Sequence, residues 1–161
     1  MADSSPRRTL SVGKAIVLGT LIVGTLDALD AIIVFWLRSG VTPPRIFRGI
    51  AAGVLGSAAG SGGTPAALLG VLCHYTVALG IVTTYVLVSH LLLPALNRRP
   101  WLYGPLYGVA AYIVMNFVVI PLSAIGTFPR FNAFGTTNGL LIHMIGVGLP
   151  TALVAARIRP R

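Results

Sequence analysis

The chain has 161 residues, of which 55% are hydrophobic and only 9% charged, with a mean hydropathy of +0.87. A soluble domain carries roughly 25% charged residues, so this sequence has too little polar surface to clothe a water-soluble fold, and with its single Cys73 and sparse charge it is neither a disulfide scaffold, a coiled coil nor a disordered tail. The net charge of +9, from 12 Lys and Arg against Asp3, Asp27 and Asp30, comes from Arg residues placed between apolar runs; no basic face interleaved with aromatics exists to bind nucleic acid, and the placement is the topology signal of a helical membrane protein.

Residues 1–13 read as a tail. Arg7 and Arg8 precede an apolar run, but the run is too long for a signal peptide and no small-residue cleavage site follows it, so a retained first helix is expected. That helix is predicted near residues 14–37. It carries Asp27 and Asp30, three residues apart and so about 60° apart in projection, on one face.

The segment Ser39–Thr64 is too long for a plain connection. Pro43 and Pro44 are set to start a short helix, with Ile46, Phe47, Ile50 and Val54 apolar on one side and Arg45 and Arg48 on another. The chain then becomes Gly, Ala and Ser through Gly63. The expectation is an amphipathic helix in the outer interface, or a re-entrant segment tucked between spanning helices.

A second span is predicted near 66–92, with Gly70, His74, Ala78 and Tyr85 on one stripe. A third near 104–125 carries Asn116, with Tyr112 a turn before and Ser123 two turns after. The loop Gly126–Thr137, with Phe128, Phe131 and Phe134, should lie on the outer surface or cap the polar residues. A fourth span near 138–156 carries His143, flanked by Thr136, Gly139 and Gly146, and 157–161 form a second tail. Each run can cross a hydrocarbon core of about 30 Å, and none alternates as a β-barrel strand would. The fold class is therefore all-α: a polytopic membrane protein with a single four-helix domain over 14–156.

Charge sets the orientation. Arg7, Arg8, Lys14, Arg98, Arg99, Arg157, Arg159 and Arg161 fall on one side, eight against the four of Arg38, Arg45, Arg48 and Arg130, which places both termini in the cytoplasm. Trp36, Trp101, Tyr103 and Tyr107 are expected as interface anchors. The bilayer is the expected partner. Small-residue spacings such as Gly104 with Gly108 and Gly135 with Gly139 offer faces for close packing, within the chain, in a homo-oligomer or in a larger membrane complex.

The candidate site comes from comparing depths. At 1.5 Å per residue, Asp30 lies about 10 Å below the outer end of its span, His74 about 12 Å, His143 about 8 Å, and Asn116 with Asp27 about 14 to 15 Å. Asp27, Asp30, His74, Asn116 and His143 thus form one level, the pattern of a proton, ion or metal site or of a structural hydrogen-bond layer. His74 and His143 could alternatively supply two axial haem ligands. Arg38, Arg45 and Arg48 are on the same side and could neutralise the carboxylates. His90 belongs near the opposite surface, about 24 Å from His74. No cofactor is expected, with a metal ion or haem as the alternatives, and no nucleophile with a base at hand and no HExxH or GxGxxG is present, so an enzyme is not expected.

From about Ala66 to Arg157 the positions His74, Tyr85, Pro94, Gly108, Pro121, Gly126, Pro129 and His143 give the chain a pattern that resembles the YagU-type family of bacterial inner-membrane proteins. The Asp27 and Asp30 pair and the Gly, Ala, Ser stretch lie outside that pattern. The resemblance implies a helical protein of the inner (plasma) membrane and no particular reaction.

Overall fold

The computed structural model describes residues 9–159, so Asp3, Arg7, Arg8, Arg161 and most of the N-terminal tail lie outside the described residues. Among the described residues four helices are long and apolar enough to cross a membrane: α1 Val12–Ser39, α3 Gly63–Leu92, α4 Pro100–Leu122 and α5 Ala133–Ala155. A shorter helix, α2 Pro43–Leu55, lies between the first two, and one 3-10 stretch, Gly56–Gly60, leads from it into α3. The shortest of the long helices has 23 residues and so reaches about 34 Å, enough for a hydrocarbon core.

Local signals fix the ends. Ser11 accepts the Lys14 N–H at the start of α1, and Gly40 closes it in the left-handed region at φ 63°, where its N–H meets the Phe35 and Trp36 carbonyls. Asn132 accepts the Gly135 N–H at 2.8 Å, so α5 begins at Ala133, more than a turn before the start that hydropathy predicts. The third span is shifted the same way, running from Pro100 to Leu122 rather than from 104 to 125.

Three of the long helices contain a widened π turn: Val88–Leu92 in α3, Met115–Val119 in α4 and His143–Gly148 in α5. Each stops two residues short of a proline, at Pro94, Pro121 and Pro150. Inside a continuing helix a proline supplies no N–H and its ring collides with the carbonyl four residues back, here those of Phe117 for Pro121 and Gly146 for Pro150, each inside a widened turn, whereas α3 has already ended at Leu92 before Pro94. Opening the turn relieves that collision.

Glycine sets how closely the helices approach. A Cβ on Gly108 would run into the His143 carbonyl, and one on Gly148 into the Gly104 carbonyl, so α4 and α5 meet backbone to backbone. The Gly104 and Gly108 spacing is thus used inside the chain. Gly70 likewise receives the Phe47 carbonyl and seats α2 along the first half of α3.

The tightest core, with Val23, Val82, Val86, Val147 and Ala152, joins α1, α3 and α5. Tyr107, expected as an anchor, turns inward: its hydroxyl donates to the Ile81 carbonyl at 2.7 Å and its ring meets Tyr85 edge-on, because a buried hydroxyl needs a partner. Trp36 and Trp101 stand out from the bundle. The two ends of the described chain come together, Leu10 N–H bonding the Arg157 carbonyl and Arg159 N–H the Leu10 carbonyl, so both leave the bundle on one side.

Candidate functional site

Along α1, Asp27, Asp30, Val34 and Arg38 recur at helical spacing on one face. That face does not close onto its neighbours. It lines a cavity of about 740 Å³ whose other walls are Tyr112 and Asn116 of α4, Asn138 and His143 of α5, and the loop around Arg130. Asp27, Asp30, Asn116 and His143, four of the five residues singled out by depth, therefore share one cavity, and all four are half-buried.

The polar contacts are specific. Asn138 Nδ2 donates to Asp30 Oδ2 at 2.8 Å and ties α5 to α1. Asn116 Nδ2 donates to the Tyr112 carbonyl at 2.9 Å. His143 Nδ1 lies 2.9 Å from the Gly139 carbonyl; a carbonyl only accepts, so Nδ1 carries the proton and, in the neutral ring, Nε2 is left as an acceptor. Tyr112 packs edge-on against the His143 ring at 5.4 Å. Toward the exposed rim the Arg38 guanidinium sits 3.9 Å above the centre of the Phe134 ring.

His74 is not part of this cavity. Its ring packs edge-on against Phe47 of α2 at 6.3 Å and Tyr75 at 5.5 Å, and its Nε2 donates to the Gly24 carbonyl at 2.8 Å. It works as a cross-brace among α1, α2 and α3. The paired haem ligation by His74 and His143 does not fit, because Nε2 of His74 is taken by a backbone carbonyl and only His143 faces the cavity. For a metal ion, the described residues contain no group of three or more His, Cys, Asp or Glu side chains close enough to hold one. The arginines that line the cavity are Arg38 and Arg130 rather than Arg45 and Arg48.

Asn138 is the site residue that sequence reasoning missed. Hydropathy puts it at the first position of its span, where an amide would be solvated; the Asn132 cap starts the helix earlier and carries Asn138 inside. Measured from the observed helix ends, Asp27, Asp30, Asn116 and His143 lie about 9 to 18 Å in, at the same end of the bundle. A comparison of the chain with family models, curated proteins and solved structures found no match.

Proposed function

We propose that the protein is a multi-pass protein of the bacterial inner membrane that binds a cation in the cavity between α1, α4 and α5, and that it works by binding or relaying rather than by catalysis. In this reading α1, α3, α4 and α5 span the bilayer, both termini face the cytoplasm, and α2 lies at the outer interface or is tucked back against α3. The membrane assignment is supported by the four long apolar helices and by large hydrophobic side chains such as Leu37, Leu92 and Leu122 left exposed along them. The bias of Lys and Arg toward the side of the termini supports the orientation. The resemblance to the YagU-type pattern supports the inner membrane.

The observation that carries the functional part is that both carboxylates of the spanning helices, Asp27 and Asp30, open onto a single cavity with Asn116 and His143. Ionisable groups are costly at membrane depth and face the bundle interior where they serve an ion or a proton. One contact favours a second reading, a scaffold whose polar layer is structural: Asp30 already accepts a hydrogen bond from Asn138. Purified protein in lipid nanodiscs separates the two. Under the cation-binding reading, added cations or a change of pH shift the unfolding midpoint of the wild type, and Asp30→Asn folds but loses the response. A wild type indifferent to both supports the scaffold and overturns the binding reading.

A further inference from the structure

The end of the bundle where the two ends of the described chain meet carries charge of one sign. Lys14, Arg98, Arg99, Arg157 and Arg159 are all exposed there. Leu10 bonds Arg157 and Arg159 through the backbone, and the 3-10 stretch Pro94–Arg98 between α3 and α4 packs against the last turns of α5. The carboxylates of the described residues, Asp27 and Asp30, both line the cavity at the other end. Lys14 and Asp27 are 13 residues apart on α1, about 20 Å, which is too far for an ion pair and about two Debye lengths at physiological salt.

Beside these cations the surface of the bundle is grooved. A crevice of about 260 Å³ runs between α3 and α4, lined by Tyr85, Val88, Leu96, Tyr103 and Tyr107, with Thr84 and Leu106 exposed at its edges. Its polar groups are largely spent inside the protein. Tyr107 donates its hydroxyl to the Ile81 carbonyl at 2.7 Å, Tyr85 to the Leu96 carbonyl at 3.4 Å and Thr84 to the Gly80 carbonyl at 2.8 Å. What the crevice offers is hydrocarbon and aromatic ring, the surface an acyl chain covers. Leu96 stands two residues before Arg98, and Tyr103 four residues after Arg99 in the first turn of α4, so the two arginines flank the mouth. A basic cluster beside a groove between spanning helices suits an anionic lipid head; a zwitterionic head brings no net charge to answer the arginines.

We infer that this crevice holds an acyl chain of an anionic phospholipid whose phosphate-bearing head is bound by Arg98 and Arg99. The site is independent of the cation cavity at the other end and rests on the membrane reading alone. The test follows the unfolding midpoint of the protein in dodecyl maltoside micelles as dioctanoyl phosphatidylglycerol, dioctanoyl phosphatidylcholine or glycerol 3-phosphate is added. Phosphatidylglycerol is expected to bind about 25-fold more tightly than phosphatidylcholine, about fivefold for each arginine, and glycerol 3-phosphate to leave the midpoint unmoved. Arg98→Gln with Arg99→Gln should abolish that preference, while Arg45→Gln, exposed at the other end, should keep it. Leu106→Trp, which fills the crevice from its exposed edge with every charge in place, should weaken both lipids. Equal binding of the two lipids by the wild type overturns the inference, and so does a full response to glycerol 3-phosphate, which would mark a site for free anions. A loss in Arg45→Gln as large as in the double variant, or lipid binding unchanged by Leu106→Trp, overturns it as well. A chain that stays dispersed in buffer without detergent would overturn the membrane reading itself.

Discussion

Replacing Asn138 by alanine removes the side-chain hydrogen bond that joins α5 to α1 across the cavity, the 2.8 Å contact to Asp30 Oδ2. A hydrogen bond to an ionised group contributes about 1.5 to 3 kcal/mol in soluble proteins, whereas side-chain bonds between membrane helices average about 0.6 kcal/mol with a maximum near 1.7. Both partners are half-buried beside a cavity with exposed residues at its rim, so the abandoned group can recover a water. The coupling between the two residues should therefore fall at about 0.5 to 1.5 kcal/mol. A double-mutant cycle of Asp30→Ala and Asn138→Ala, read by circular dichroism during unfolding in mixed micelles, measures it. Additivity within about 0.3 kcal/mol would refute the pairing. Were Asp30 instead paired with a buried Arg45 or Arg48, its loss alone would cost about 3 to 5 kcal/mol, and Arg45→Ala or Arg48→Ala would rescue it. Neither arginine lines the cavity, so no rescue is expected.

Gly108→Ala should destabilise the fold by about 1 to 3 kcal/mol, because its Cβ meets the His143 carbonyl, which cannot rotate away. Gly80→Ala, with nothing within 4 Å, should be neutral or stabilising by up to about 1 kcal/mol, and equal effects in the same unfolding assay would contradict the packing described. His74→Ala should lower stability by about 1 kcal/mol through loss of the bond to Gly24 while leaving the cation response of the unfolding midpoint intact; loss of that response with stability unchanged would return His74 to the site. With Cys73 replaced by serine, Leu10→Cys and Ile158→Cys should cross-link on mild oxidation, since their backbones bridge directly, and two free thiols after oxidation would separate the chain ends.

How much of this was legible depends on which physical term sets each feature. The four long apolar helices were legible because a segment able to cross hydrocarbon is about 20 apolar residues in a row. Their starts were less so: Asn132 and Ser11 cap through hydrogen bonds that hydropathy does not register. Asp27, Asp30, Asn116 and His143, grouped by depth, all line one cavity, since depth follows from residue count alone. It misplaced His74, whose level is similar but whose direction depends on how α3 is rotated against α1 and α2, a consequence of where Gly70 and Gly24 let neighbours approach.

The prolines carry the remaining lesson. A projection at 3.6 residues per turn holds only while every N–H reaches four residues back, and Pro121 and Pro150 each delete that bond and open the preceding turn. An extra residue in a turn shifts everything beyond it by about 100°. Tyr112 and Asn116 remain a turn apart and stay bonded, side chain to carbonyl. Ser123, projected two turns beyond Asn116, lies across the widened turn. Its backbone leaves the helix, its hydroxyl closes on the Ile120 carbonyl at 2.7 Å, and the next residue, Ala124, donates its N–H to Gly53 of α2. The proline thus takes Ser123 away from the cavity and uses the chain beyond it to fasten α4 to α2, which leaves Asn116 as the polar group that α4 contributes beside Tyr112.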